Sequence, residues 1–178
     1  MLNLAEGFGC HQEIIVARWV DYALSSYSSS FFKKEEDSFA NPVGANCRQA
    51  FSSLFPLLVK GSGRDECQPF LEQFISIRAV QQFSPSQALA PVNAVKHIVR
   101  EVFSADKKCQ HLVSELYDFD FAVDLCLLAA FDIYMGYRER LYSVRLREVR
   151  SGSNILTDSK CPSKMLKKSD AELPNVQG

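Results

Sequence analysis

The chain has no apolar run long enough to cross a bilayer. Its most apolar stretch, residues 121–135, is broken by Asp124 and Asp132, and a span needs roughly 18 to 20 predominantly apolar residues. It has no excess of charge of either sign: 20 basic residues face 21 acidic ones, for a formal net charge of −1. That balance removes the bulk attraction to phosphate backbones on which nucleic-acid binders rely, so no nucleic-acid partner is expected. The six cysteines, at positions 10, 47, 67, 109, 126 and 161, include no CxxC pair. Structural zinc sites use closely spaced ligand pairs, and disulfide frameworks belong to short secreted chains. Most of the cysteines are therefore read as small buried hydrophobes, and no metal is expected. No basic segment precedes an apolar one at the start, where Glu6 interrupts any leader-like pattern, so a cytoplasmic protein is expected. The motifs G-x-S-x-G, H-E-x-x-H, Walker A and G-x-G-x-x-G are all missing. Lys60-Gly61-Ser62-Gly63-Arg64 has the composition of a phosphate loop but not its spacing, and reads as a connection between helices. Neither an enzyme nor a cofactor is expected.

What remains is helical periodicity, with no segment that alternates with period two. The reading is an all-α fold, a single bundle of about six to seven helices with a long C-terminal helix. The domain is placed at 8–150, and residues 151–178, rich in Ser, Lys, Pro and Asn, are expected to form a disordered tail. A first helix is read from His11 to Ser26, with Ile15, Trp19, Tyr22 and Ser26 on one face. A Ser-rich, charged connection, 28–39, follows, anchored by Phe31 and Phe32. Asn41-Pro42 opens the next helix: Asn41 can accept from orphan amides, and Pro42 lacks an amide that would be unpaired in any case. That helix carries Cys47, Ala50, Phe51, Leu54 and Leu58 on one face and stops at Lys60-Gly61. A third, with Phe70, Phe74 and Ile77, ends near Gln82. Ser84-Pro85-Ser86-Gln87 repeats the device as a capping box. Within the helix that follows, Pro91 deletes the bond to the Gln87 carbonyl, and should kink the helix or delay its start. The long helix, 119–150, carries two apolar stripes: Phe121, Leu125, Leu128, Asp132 and Met135, and Leu127, Phe131, Tyr134, Tyr137 and Leu141. Two apolar faces predict a helix at the centre of the bundle.

The chemically informative residues are few. Asp132 falls on an apolar stripe, where a carboxylate costs several kcal/mol unless paired. Arg78, in an equally apolar stretch, is the partner expected for it. Gln81, Ser84, Ser86 and Gln87 surround the same junction, and with Arg78 and Asp132 they form a candidate polar pocket or switch. His11 and His111 lie beside or near Cys10 and Cys109, which raises a metal or haem role for them, but they read first as solvated positions near helix starts. His97 is the one histidine expected inside the bundle, and so the one candidate for holding haem there. Five arginines against two glutamates follow Tyr137. Arg138, Tyr142, Leu146 and Val149 mark a candidate surface for a dimer or a partner helix, since positions 142, 146 and 149 recur with helix-packing spacing.

Three segments carry a family resemblance: Phe39-Ala40-Asn41-Pro42-Val43-Gly44, Ile77-Arg78-Ala79-Val80-Gln81-Gln82-Phe83-Ser84-Pro85-Ser86-Gln87-Ala88, and Ala130-Phe131-Asp132-Ile133-Tyr134-Met135 with Arg138-Glu139. Over residues 10–150 the chain resembles the RsbT co-antagonist (RsbRD) N-terminal domain family. The resemblance implies a helical sensory module, related by analogy to the globin-like, non-haem sensor domains of stressosome proteins. It also implies a protein partner that supplies the signalling output, and the packing spacing on the long helix adds the expectation of a homodimer; the ligand is not named by the resemblance. Nothing long enough to be an output domain follows Arg150, so the output is expected in another polypeptide. Two positions depart from the pattern: Pro91 stands where a large apolar residue is expected, and Gly136 replaces a bulkier one, which would permit a bend or a close helix approach.

Overall fold

The structure is a computed structural model that describes residues 2–27 and 40–150. All regular structure in these residues is helical: α1 (Leu4–Ser25), α2 (Pro42–Lys60), α3 (Arg64–Val80), α4 (Pro85–Ala105), a 3-10 helix (Gln110–Glu115) and α5 (Tyr117–Arg150). The all-α reading holds. The connection with Phe31 and Phe32 and the expected tail lie outside the described residues. The chain divides into two units, Met1–Glu139 and Arg140–Gly178. Of the second, residues 140–150 are described, as the last turns of α5.

Local chemistry sets the helix ends. Asn41 caps α2 by accepting from the Gly44 amide at 2.9 Å, with Pro42 in the first turn. A side chain at position 44 would collide with the Asn41 amide group, so glycine is what lets that cap close. α2 stops at Gly61, the left-handed residue with φ 68° that such a terminus favours. Ser84 and Gln87 form the expected capping box on α4. α1 begins seven residues earlier than the periodicity indicated, because Asn3 and Glu6 make a capping box of their own.

Pro91 neither delays α4 nor ends it. The helix runs from Pro85 through Pro91, which is buried. α2 and α3 likewise continue through Pro56 and Pro69.

The core of the first unit is aromatic. Trp19 stacks on Phe51 with ring centres 4.0 Å apart, and its indole N–H donates to the Pro91 carbonyl at 2.6 Å. Phe8 meets Phe55, Phe103 and Phe119 at 5.0 to 5.9 Å, contacts that add about 0.5–1.5 kcal/mol per pair beyond area burial. Ile15 and Trp19 of the stripe read for α1 are buried, whereas Tyr22 and Ser26 are exposed. Cys47, Cys67, Cys109 and Cys126 are buried and Cys10 is exposed, so most of the described cysteines are the small hydrophobes expected.

α5 is not a central helix. Its buried residues, Phe119, Ala122, Val123, Cys126, Ala129, Ala130 and Tyr134, lie on one side. Phe121, Leu125, Leu128, Phe131 and Met135 are all exposed. At about 100° per residue they project from the opposite side. Among the described residues, a side chain at Gly136 would meet nothing within 4 Å.

Candidate functional site

Proline in a helix frees the carbonyl four residues earlier, and the group that takes up this one organises the site. The Gln87 carbonyl, which Pro91 cannot serve, accepts from Nη2 of Arg78 at 2.9 Å. Arg78 occupies the last turn of α3 and is 0% exposed. Its guanidinium lies 4.1 Å from the Phe83 ring centre, 5.4 Å from Phe74 and 5.5 Å from Tyr27, and Nη2 also donates to Ser26 Oγ at 3.0 Å. Among the described residues Nε and Nη1 have no hydrogen-bond partner. No ion pair forms on this arginine among them either.

Burial lowers the pKa of Arg78, opposed by the neighbouring Tyr27 and Cys47. An arginine stays charged even so. The three ring faces supply part of what hydration would have given. Burial also pushes the Tyr27 phenol up, and that hydroxyl donates to Gln81 Oε1 at 2.9 Å. Cys47, beside the same arginine, is pushed up to about 12 by burial.

Arg78, Gln81 and Gln87 are thus brought to one centre, with Ser26, Tyr27, Phe74 and Phe83, which the sequence reading had not assigned to it. Ser84 and Ser86 are exposed and bonded to each other at 3.1 Å, outside the cage. Asp132 is elsewhere. Its side chain is 58% exposed and pairs with Arg64 Nη2 at 2.9 Å, so the expected Arg78–Asp132 pair is replaced by a surface one. The reason is geometric: the stripe carrying Asp132 faces outward, where a carboxylate stays hydrated.

The turn between α3 and α4 joins this centre to α5. While its ring covers the guanidinium, Phe83 accepts from the Tyr134 hydroxyl through its carbonyl at 2.8 Å. Arg138 Nη1 donates to the Ala79 carbonyl at 3.3 Å, placing a cation at the C-terminal end of α3. Of the proposed partner-helix residues, Arg138 is therefore half-buried against α3, whereas Tyr142, Leu146 and Val149 are exposed.

The histidines sit otherwise than expected. His97 is a surface residue, its side chain 77% exposed and paired with Glu101 one turn on, which removes it as an internal ligand for haem. His111 bonds the Leu2 carbonyl at 3.0 Å and His11 bonds Asp106 at 3.1 Å, both half-buried rather than solvated. Among the described residues no helix is long and apolar enough to cross a membrane.

A family model, that of the RsbT co-antagonist protein rsbRD N-terminal domain, matches residues 13–149. No curated protein and no solved structure matches the chain. The matched segment runs from α1 to the end of α5, taking in the Arg78 centre and the turn that links it to α5. The chain belongs to the RsbT co-antagonist protein rsbRD N-terminal domain family, a family of regulatory signalling domains.

Proposed function

We propose that the chain is a non-catalytic sensory and adaptor domain, acting in the cytoplasm, that passes the state of the Arg78 centre to α5 and through α5 to a signalling partner. The observation that carries this reading is the double role of Phe83, whose ring covers the buried guanidinium while its carbonyl holds Tyr134 of α5. A cation buried without a carboxylate among the described residues is costly, and on this reading the turn has a second arrangement that relieves the cost. A shift of Phe83 in such a rearrangement breaks or re-forms the Tyr134 hydrogen bond.

We propose in addition that the domain pairs with its own copy through the outer row of α5. Phe121, Leu125, Leu128, Asp132 and Met135 follow one another at spacings of four and three, and Glu139, Tyr142, Leu146 and Val149 continue the alternation in sequence. A sustained 4-3 spacing is the pattern of a two-helix seam. A helix with such a row outward is self-complementary, which is what a two-fold dimer requires. Asp132, one of the two carboxylates of the row in the first unit beside Glu139, pairs with Arg64 at 2.9 Å.

Hydrogen exchange of the full chain tests the relay. Tyr134→Phe and Arg78→Met are each expected to speed exchange of α5 amides around positions 131–139. Unchanged α5 exchange in both variants would end the reading of Phe83 as a link.

A further inference from the structure

We propose that His11, Asp106 and Cys109 bind a divalent cation of the zinc type, joining α1 to the turn that follows α4. The three side chains come from two segments, His11 standing 95 residues before Asp106 and Cys109 lying one turn beyond Asp106. Their ligand atoms all lie within 4.8 Å of one another. Asp106 Oδ2 is 3.1 Å from His11 Nε2, and Cys109 Sγ is 3.6 Å from that same nitrogen.

That shared nitrogen separates a metal site from a catalytic relay. In a Cys–His–Asp relay the thiol and the carboxylate use opposite nitrogens of the ring, so that one proton can pass while the other is held. Here both converge on Nε2, which has one lone pair or one proton to offer. Three ligand atoms gathered within 4.8 Å of one another can be served together by a cation.

The spacings agree. Bonds of about 2.0 to 2.3 Å at tetrahedral angles put an N···O edge at roughly 3.4 Å and an N···S edge at roughly 3.6 Å, against the observed 3.1 and 3.6 Å. One nitrogen, one thiol and one carboxylate suit zinc rather than calcium or magnesium, which take oxygen ligands. Asp106 is already oriented for the task. Its Oδ1 accepts from the Lys108 amide at 2.9 Å, leaving Oδ2 turned to the histidine. The Asp106 carbonyl accepts from the Cys109 amide at 2.8 Å, which fixes the thiol beside it. Such outer contacts fix ligand geometry before the ion arrives.

Cys109 is buried, but the His11 and Asp106 side chains are 21% and 31% exposed, so an ion can enter from their side. Binding requires the thiol to release its proton to solvent and the imidazole to be neutral. Three protein ligands leave a fourth position for water.

Titration of the untagged full chain with Co²⁺, followed by displacement with Zn²⁺, tests this. A thiolate-to-cobalt charge-transfer band that Zn²⁺ abolishes is expected in the wild type and in Cys10→Ser, and its absence is expected in Cys109→Ser. His11→Gln, at a half-buried position, should weaken Zn²⁺ binding in chelator competition at least tenfold, the scale of losing even an outer-shell contact. The proposal fails if the wild type gives no band, if the band survives Cys109→Ser, or if His11→Gln binds Zn²⁺ as tightly as the wild type. Far-UV circular dichroism of each variant identifies loss of fold, and where Cys109→Ser does not fold, the His11→Gln affinity decides.

Discussion

The Arg78 centre and the outer face of α5 invert the usual partition of a globular protein, one placing a cation inside and the other an apolar row outside. The inversions are resolved in different ways. Arg78 is held by its surroundings: three aromatic rings, a serine hydroxyl and the carbonyl that Pro91 leaves open. Phe121, Leu125, Leu128 and Met135 touch solvent in the isolated chain and are not among the described core residues of the first unit. Residues of the first kind should report on stability, and those of the second on association.

The largest effect is expected at Arg78. Arg78→Ala opens a cavity under the rings and strands the Gln87 carbonyl, for a loss of about 3 kcal/mol in denaturant unfolding. Arg78→Met keeps the volume and removes the buried charge, so it should cost clearly less. If methionine were as damaging as alanine, the charge itself would be a net stabiliser, and the reading of this centre as weakly held would be wrong.

Next comes alkaline pH, which reads the thiol beside the arginine. Burial holds the Cys47 proton to about 12, whereas an unfolded thiol releases its proton near 8.5. A raised folded value means that the contribution is intact below the unfolded pKa and is lost as pH climbs toward the folded one. By pH 10 the wild type should therefore have lost about 2 kcal/mol more stability than Cys47→Ala. Equal alkaline losses in the two proteins would show that the thiol is not shielded as the packing indicates.

Where the determinant was local, the sequence disclosed it. Asn41-Pro42, Gly61 and Ser84-Pro85 act through neighbours three or four residues away, and all three helix boundaries fell where capping chemistry puts them. The Asn3–Glu6 box is equally local. Pro91 announced an open carbonyl on Gln87 without naming what fills it, because the donor arrives from another helix. Apolar periodicity identified the stripe through Leu125 and Leu128 as apolar, yet periodicity does not say what covers a face, so both it and Asp132 were assigned to the interior. His11, Asp106 and Cys109 gave no sign in spacing, since only the meeting of α1 with the turn after α4 unites them.

The smallest effect on folding and the clearest on assembly should come from the outer face, through Leu128→Glu. At a side chain 64% exposed, the change should alter stability by no more than about 0.5 kcal/mol. Light scattering coupled to size-exclusion chromatography, run beside a denaturant titration, is the direct measurement. The account predicts a dimeric wild type and a monomeric Leu128→Glu of equal unfolding midpoint when both are measured at a concentration where the wild type is dissociated. A monomeric wild type at all concentrations, or a variant that remains dimeric, would contradict it.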